Sequence, residues 1–465
     1  MTTQATVLVL GAGMAGLVAG YELLRRDCSP VILEARQRIG GRVHTIRDQA
    51  PGLYAEVGAM RIPRIHSRTL RYCENFGLRL RQCVSGNPDA LVHVAGHRMT
   101  AADAARGLPA GIFPPARHEQ GRSNDELWDE ATEEIRARLS QTGFAAFDEL
   151  ALKYDGYSIR GFLKDEGWSE AAIERYGVLT ATESTLNTGI LQELREVVGG
   201  AYADTQEIAG GMDQLPSAFY PHLKERIWLG TAVTAITQDD SSVTVHATTG
   251  TGHRSFRGDY AICTVPFPVL RGIDIDPPFS FAKQKAIRQL HYDAATKIFF
   301  QVRRPFWEES DHIHGGTTVT DLPIRRIVYP SGPVTPGQRA MLLASYTWGQ
   351  DALRWSALAP DQRIELALRD VARIHPEVRA EFESGISYSW SQDPYAMGGY
   401  ALFEPDQQTT LRDGIRRSEG RVHFAGEHCS SWPAWLEGAV ESGQHAAERV
   451  ALLAATSARA STLCG

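Results

Sequence analysis

The chain has 465 residues, of which 43% are hydrophobic and 22% are charged, so it is long enough for two or three globular domains. Its formal net charge of −7 argues against binding to nucleic acid or to an anionic membrane surface. No apolar run approaches the roughly 20 residues of a membrane span, and a strand-like segment begins soon after Met1, so we expect a cytoplasmic protein whose partners are small molecules.

The first predicted element is a strand over residues 7–10, followed by a glycine-rich turn, a helix and a second strand over residues 31–33. Gly11 permits a tight turn, Gly13 lets a pyrophosphate approach backbone N–H groups at a helix N-terminus, and Gly16 lets the helix pack against the strand. Glu34 follows the second strand, where its carboxylate can accept hydrogen bonds from a ribose. This unit predicts dinucleotide binding, and a glycine-rich turn without a ligand is the alternative.

A second pair of glycines follows this unit. Gly40 and Gly41 suit a stretch of backbone that lies against a phosphate or a ring system. Arg38 and Arg42 flank them and supply positive charge for such an anion.

The middle of the chain, from about residue 100 to residue 200, predicts a helical insertion. Helical spacing covers residues 125–139, 144–152, 159–166 and 170–182. Strand-like character returns at residues 227–236, 243–246 and 260–265. Residues 422–427 then predict a strand that runs into a glycine turn, and residues 438–453 predict a helix. Nucleotide-type elements at both ends of the chain imply a discontinuous cofactor domain.

The six cysteines contain no C-x-x-C pair, and no cluster of histidine, cysteine and acidic residues has the spacing of a metal site. We therefore expect free thiols and no metal.

Several longer motifs resemble those of the flavin amine oxidase superfamily, and the resemblance covers essentially the whole chain. The motifs lie at residues 11–16, 38–42, 210–216, 424–427 and 435–443. Within the superfamily, residues 58–63, 313–316, 320–323 and 390–399 are similar to L-amino-acid oxidases rather than to monoamine or polyamine oxidases.

The resemblance implies an α/β (α+β multidomain) fold with three parts. The expected parts are a discontinuous Rossmann-like FAD-binding domain (1–43, 211–290 and 418–465), a mixed-sheet substrate-binding domain (44–104 and 291–417) and a helical domain (105–210). No cysteine occurs in the stretch around the double glycine at residues 398–399, where monoamine oxidases attach their flavin covalently, so we expect non-covalent FAD. The expected cofactor contacts are Gly11, Gly13, Ala15, Gly16, Glu34, Ala35, Arg36, Gly41, Arg42, Gly58, Ala59, Met60, Arg61, Val233, Gly426, Glu427, Trp435 and Leu436.

Two predicted groups would bind the substrate carboxylate. Arg61 lies in an apolar setting where a guanidinium needs an anionic partner, and by resemblance that partner is the substrate. The alternative is a structural salt bridge. By resemblance the hydroxyl of Tyr346 hydrogen-bonds the same carboxylate, and the alternative is an ordinary aromatic residue of a strand.

Lys297 is the predicted catalytic residue. It lies on a largely apolar strand, where burial should lower its pKa. By resemblance it holds a water against flavin N5 and assists the reaction with oxygen or the hydrolysis of the imine. A lysine whose ammonium reaches solvent is the alternative.

The remaining predicted contacts form the substrate pocket. By resemblance Trp435 is an aromatic wall beside the flavin ring, with Ala434 next to it, although core packing is the alternative. Tyr400 would face the substrate side chain or form the opposing wall. Arg195 could meet a polar substrate end or lie on the surface.

The resemblance implies oxidation of L-α-amino acids by FAD and dioxygen to 2-oxo acids, ammonia and hydrogen peroxide. Large aromatic or hydrophobic substrates are favoured, and basic or acidic ones stay open. The alternatives are an amine oxidase without a carboxylate requirement, an amino-acid monooxygenase that yields an amide and carbon dioxide, a nicotinamide dehydrogenase and a non-catalytic flavin protein. We also expect a homodimer.

Overall fold

A parallel sheet forms the centre of the nucleotide-type part of the chain in the computed structural model, which describes residues 4–332, 334–335 and 337–463. Its five strands, in spatial order, are Ile227–Trp228, Ser29–Leu33, Thr6–Leu10, Tyr260–Cys263 and Val422–Phe424. The three inner strands are apolar and largely buried, as expected for a parallel sheet with both faces covered. Helices Met14–Leu24 and Leu436–Leu463 pack with this sheet in one hydrophobic core.

One predicted strand is two strands in the structure. The segment over residues 227–236 was expected to be continuous, but Gly230 adopts a φ of +62° and turns the chain. Ile227–Trp228 therefore forms an edge strand of the parallel sheet, whereas Ala232–Gln238 belongs to a separate sheet. That second sheet has the order Gly252–Gly258, Val243–Thr249, Ala232–Gln238 and Asp274–Asp276.

A seven-stranded mixed sheet forms the other large layer. Its order is Phe382–Ser389, Ala295–Val302, Ala340–Trp348, Arg326–Val328, Thr317–Thr320, Leu91–Val94 and His97–Thr100. Every residue of the strand Ala295–Val302 is buried, and in its register Lys297 lies between Tyr346 and Tyr388 of the neighbouring strands. This strand therefore places one lysine deep between two sheet neighbours.

Helices occupy most of residues 124–198 and share one hydrophobic core. Their bounds are Asn124–Ala131, Glu133–Thr142, Phe147–Tyr154, Ile159–Asp165, Glu170–Leu179 and Ile190–Glu193, followed by the π-helical turn Leu194–Val198. The predicted helix over residues 125–139 is interrupted at Thr132, whose hydroxyl donates to the Trp128 carbonyl at 2.7 Å. Strand Thr205–Ile208 leaves the helices and pairs with Ile62–Pro63 and Leu80–Cys83.

The other elements connect these layers. Two short pairs are Thr45–Ile46 with Ala55–Glu56, and Tyr292–Asp293 with Tyr400–Ala401. The remaining α-helices are Ser67–Asn75, Ala101–Arg106, Gln214–Leu223, Phe267–Leu270, Phe281–Gln289, Phe306–Asp311, Gly349–Ser356, Pro360–Ile374, Val378–Glu381, Gln407–Thr410 and Arg412–Arg416. Across the described residues, the structure contains no helix with the length and apolarity of a membrane span. The predicted mixed α/β architecture is confirmed, whereas the three domain boundaries stay predictions.

Candidate active site

A cavity of about 820 Å³ lies where the carboxyl ends of the parallel strands face the seven-stranded sheet and the helices. Small-molecule sites of α/β proteins occupy this position and have this size. Among the residues predicted to contact cofactor or substrate, only Gly16 and Arg195 do not line this cavity. The predicted residues that line it are Gly11, Gly13, Ala15, Glu34, Ala35, Arg36, Gly41, Arg42, Gly58, Ala59, Met60, Arg61, Val233, Lys297, Tyr346, Tyr400, Gly426, Glu427, Ala434, Trp435 and Leu436.

The glycine turn leaves space that any larger residue would fill. Gly11 has a φ of +107°, and a Cβ there would lie 2.7 Å from the Thr264 hydroxyl oxygen. A Cβ on Gly16 would lie 2.0 Å from the Gly11 carbonyl oxygen, so Gly16 serves the packing of helix against strand. No side chain caps the helix that begins after Gly13, and its first N–H groups are available to an anion.

Glu34 is held rigidly beside this turn. One carboxylate oxygen accepts from the Ala12 N–H at 2.8 Å, and the other accepts from the Arg36 N–H at 2.9 Å. The side chain is buried, but a carboxylate has further lone pairs for hydroxyl donors. Arg36 also pairs with Asp393 on the far side of the cavity wall.

Glu427 joins three segments of the wall. It accepts from Arg42 Nη1 at 2.8 Å through one oxygen and from the Ala434 N–H at 2.8 Å through the other. Ala434 has a φ of +69°, an unfavourable conformation for a residue with a Cβ, which the carboxylate contact stabilises. The segment before Trp435 is thereby fixed in a tight turn.

Lys297 is buried at the cavity wall and its Nζ donates to the backbone carbonyls of Glu56 at 2.9 Å and Gly58 at 2.7 Å. The Nζ also lies 4.5 Å from the centre of the Tyr346 ring. Burial lowers the pKa of Lys297 to about 7 against the opposing effect of the Glu56 carboxyl, and the charge on Arg61 acts in the same direction as burial. A neutral amine is therefore well populated near neutral pH.

The Glu56 side chain lies behind this lysine and was missed by the sequence analysis. Burial raises the pKa of Glu56 to about 7, although its carboxyl accepts from the Met212 N–H at 2.7 Å and from the Thr45 hydroxyl at 2.9 Å. Met212 belongs to the motif at residues 210–216, whose contact with residue 56 no local pattern indicates.

Arg61 lines the cavity, and within the described residues it forms no ion pair with a carboxylate. Its charge acts on Tyr346 and Tyr202, whose phenol pKa values burial raises and Arg61 lowers. In the described part of the chain Arg61 is thus a cation without a counter-ion, which is the arrangement that a carboxylate ligand requires.

Aromatic rings close the cavity around this cation. The rings of Tyr346 and Trp348 lie 4.2 Å apart between centroids, and the Tyr400 hydroxyl donates to Asp293 at 3.2 Å. The Trp435 ring lies 5.6 Å from the Tyr202 ring. These rings provide apolar walls for a ligand between them.

Two carboxyls on the helical side, the buried Glu196 and the partly buried Glu193, were also missed. Glu196 accepts from the Trp435 indole N–H at 2.9 Å and from the Tyr202 hydroxyl at 2.7 Å. Glu193 accepts from the Tyr176 hydroxyl at 2.6 Å, and burial raises its pKa to about 7. Their spacing of three residues places both on one helix face, a signal that could have found them.

Arg326 is a second cation at the cavity, and the sequence analysis did not select it. Its guanidinium lies 4.5 Å from the Trp348 ring centre and donates to the Thr180 carbonyl. Burial lowers its pKa to about 10, and the nearby charge of Arg61 acts in the same direction.

The structure does not bring Arg195 to this site. It lies neither at the substrate cavity nor on the surface, the two positions that the sequence left open, because the π-helical turn directs it into a second, smaller cavity. Glu193, which precedes this turn, and Glu196, which lies within it, line the large cavity instead.

The described residues contain no group of three or more histidine, cysteine or acidic side chains that could hold a metal ion. The described cysteines are free thiols, as expected, and Cys464 lies outside the described residues. Burial raises the pKa of Cys429 to about 12, which keeps this thiol protonated and unreactive.

Comparison with known proteins adds independent evidence. The model of the family described as flavin containing amine oxidoreductase matches residues 14–451. YobN of Bacillus subtilis is 38% identical over 453 residues, which cover 96% of this chain and 94% of that protein. An L-amino-acid oxidase of Siganus canaliculatus is 34% identical over 456 residues, which cover 97% of this chain and 86% of that protein. The structure of cyclohexylamine oxidase from Brevibacterium oxydans superimposes with a TM-score of 0.75 at 22% identity, covering 97% of this chain and 99% of that one, which shows a shared fold.

Proposed function

The chain belongs to the flavin-containing amine oxidoreductase family and is an oxidoreductase with a flavin cofactor, and from this premise we propose that it oxidatively deaminates L-α-amino acids. The products are a 2-oxo acid, ammonia and hydrogen peroxide, with dioxygen as the electron acceptor. The observation that carries this proposal is Arg61, a cation that has no carboxylate partner among the described residues and lies in a cavity that continues to the dinucleotide turn.

The residues present fit FAD bound without a covalent link. The turn at Gly11 and Gly13 provides space and free N–H groups for a pyrophosphate, and Glu34 presents a fixed carboxylate for a ribose. None of the described cysteines lines the large cavity, which supports non-covalent binding. When bound, the flavin supplies the acceptor for the hydride from the substrate Cα.

Arg61 and Tyr346 orient the substrate. The guanidinium of Arg61 pairs with the substrate carboxylate, and the Tyr346 hydroxyl donates a hydrogen bond to it. Holding the carboxylate at two points fixes the direction of the Cα–H bond, and this orientation carries much of the rate enhancement.

Lys297 lies next to Tyr346 at the wall of the same cavity. Two of its N–H donors are held by backbone carbonyls, so the amine has a fixed position with capacity for one more partner. With a pKa of about 7 it can hold a water through a hydrogen bond and move a proton to or from it near neutral pH.

The side-chain pocket determines which amino acids are accepted. Trp435, Trp348 and Tyr400 supply apolar walls, which agrees with the expected preference for large substrates. Glu193 and Glu196 add acceptors, so large side chains that end in a donor or a positive charge fit better than acidic ones.

Two alternatives remain on the same scaffold. A primary-amine oxidase would have no use for an unpaired arginine, and it predicts comparable turnover of decarboxylated substrates. A monooxygenase would release an amide and carbon dioxide in place of a 2-oxo acid. The expected cytoplasmic location and homodimer stay predictions.

The test is peroxide production by the purified yellow protein with L-tryptophan, L-phenylalanine, L-arginine, L-lysine and L-glutamate. Their D-enantiomers and the corresponding amines are the controls, and the 2-oxo acid is quantified beside the peroxide. We expect activity with L-amino acids alone and one 2-oxo acid per peroxide. Equal turnover of the amines would overturn the assignment of Arg61 as the carboxylate-binding residue. An amide product would show that the protein is a monooxygenase and not an oxidase.

A further inference from the structure

Arg195 lines a second cavity of about 230 Å³ that shares no lining residue with the large cavity. This second cavity lies between helix Phe147–Tyr154, helix Arg412–Arg416 and the turn at residues 428–433. Three arginines line it: Arg195, Arg412 and Arg416. The proposed reaction uses none of them.

The buried end of this cavity has hydrogen-bond donors without acceptors. Arg195 is 9% exposed, and its guanidinium lies 4.8 Å from the centre of the Phe147 ring. Its Nη2 donates to the Gln408 side chain at 3.1 Å, and its Nη1 has no hydrogen-bond partner among the described residues. The Gln408 amide nitrogen is also without a partner. A buried donor left unsatisfied costs about 1–3 kcal/mol, and more when it is charged.

His428 contributes a further donor at this cavity. Both of its ring nitrogens are buried without a partner, and burial lowers its pKa well below the usual value. The neutral ring has one N–H group, which can donate to an anion.

The charge of the cavity is positive. Among its described lining residues Asp148 is the one carboxylate, its side chain is 71% exposed, and it pairs with Arg412 at 2.7 Å. Arg416 donates to the Ser430 carbonyl at 2.5 Å. Within the described residues, neither Arg195 nor Arg416 has a carboxylate in ion-pair distance.

Two acidic residues that do not line the cavity partly offset its positive charge. Glu196 and Glu441 favour the charged form of Arg195, but burial and the charges of Arg416 and Arg412 oppose them. The pKa of Arg195 is lowered to about 10, so the guanidinium is still charged at neutral pH.

We propose that this second cavity binds a small oxyanion of the phosphate or dicarboxylate type. Arg195 and His428 donate to it at the buried end, and Arg412 and Arg416, which are exposed, bind it at the solvent end. Planar guanidinium groups match the oxygen geometry of such anions, and the volume admits a molecule of a few non-hydrogen atoms. The site adjoins the active site, since Glu196 follows Arg195 in the chain and lines the large cavity.

The test is calorimetric titration of the flavin-loaded protein with inorganic phosphate and, separately, with malonate. Ionic strength is held constant with potassium chloride, because a general salt effect would otherwise imitate binding. We expect saturable binding of one anion per chain by at least one of the two probes, and the tighter probe identifies the phosphate or the carboxylate source. Absence of saturable binding by either probe overturns the proposal.

Variants distinguish this cavity from other positive surface. Arg195→Gln should weaken binding at least tenfold, whereas Arg354→Gln, at an exposed arginine outside the cavity, should leave it unchanged. Arg416→Gln, at the solvent end, should also weaken binding. This variant provides the test if Arg195→Gln prevents folding. If both cavity variants bind as the wild type does, the anion binds elsewhere and the proposal is wrong.

Discussion

The parallel-sheet region and the seven-stranded-sheet region form the two halves of one cavity by different means. The first presents backbone: its glycines create space, and Glu34 is fixed by N–H groups two and 22 residues away in sequence. The second presents long charged side chains, and Lys297 binds carbonyls 239 and 241 residues away. The first half is thus encoded locally, while the second depends on contacts that only the folded chain makes.

The two halves also differ in how their groups titrate. Backbone N–H groups at a helix start are fixed by the fold and do not titrate. In the second half, Lys297 lies on the seven-stranded sheet and Glu56 lies behind it, and burial brings the pKa of each group to about 7. The second half should therefore respond to pH near neutrality, and the first should not.

The largest expected effect concerns Arg61. Arg61→Ala should lower kcat/KM for L-amino acids on the order of 10³-fold, because about 4 kcal/mol of charge-paired binding is lost. Flavin content, measured by absorbance, should stay near that of the wild type. Arg61→Lys is the matched control and should recover part of the activity. Unchanged turnover in Arg61→Ala would show that Arg61 does not bind the substrate carboxylate.

A substitution at Gly16 tests the parallel-sheet half of the cavity. Gly16→Ala places a Cβ 2.0 Å from the Gly11 carbonyl oxygen, so the helix must shift. We expect the free energy of unfolding to fall on the order of 3 kcal/mol, with loss of flavin. Gly250→Ala is the control, because its Cβ meets no atom within 4 Å. Equal stability of the two variants would show that the helix does not need this close approach.

Lys297 tests the pH response of the second half. Its pKa is about 7 in the folded chain and near 10.5 when unfolded, so between these values the unfolded chain binds the additional proton. The free energy of unfolding of the wild type should therefore rise with pH relative to Lys297→Met, on the order of 2 kcal/mol from pH 7 to pH 9.

Denaturant titrations of both proteins at several pH values measure this difference. Lys297→Arg retains the positive charge and cannot become neutral in this pH range, so its free energy of unfolding should not show the rise with pH that is expected for the wild type. A difference between wild type and Lys297→Met that does not change with pH would show that the lysine titrates normally.

Glu193 gives the smallest expected effect. Above pH 7, where the Glu193 carboxyl is mostly ionised, Glu193→Gln removes a negative charge from the side-chain pocket and retains the size and an acceptor oxygen. We expect the ratio of kcat/KM for L-lysine to that for L-phenylalanine to fall about tenfold, or about 1.4 kcal/mol. Asp125→Asn, at another lining acid, is the comparison. An unchanged ratio in Glu193→Gln would mean that the side chain of the substrate does not reach this wall.

The sequence by itself determined the parts that depend on short-range geometry. The glycine turn, Glu34 and the apolar strands around them follow from spacing, because a tight turn and a buried strand each need particular residues at particular positions. The resemblance to the family also indicated Arg61, which lies in a quoted motif, and Lys297 and Tyr346, which lie outside the motifs, and the structure brings all three to one cavity.

The tertiary structure decided what the local pattern leaves open. Arg195 and Glu196 are neighbours in sequence, yet a π-helical turn sends one to the second cavity and the other to the large cavity. The Glu56 carboxyl accepts a hydrogen bond from the Met212 N–H, and burial raises its pKa, so its state depends on a segment more than 150 residues away in sequence. Which face of a helix is covered, and how far a charged group is removed from water, depend on packing between distant segments, and no spacing within one segment encodes that.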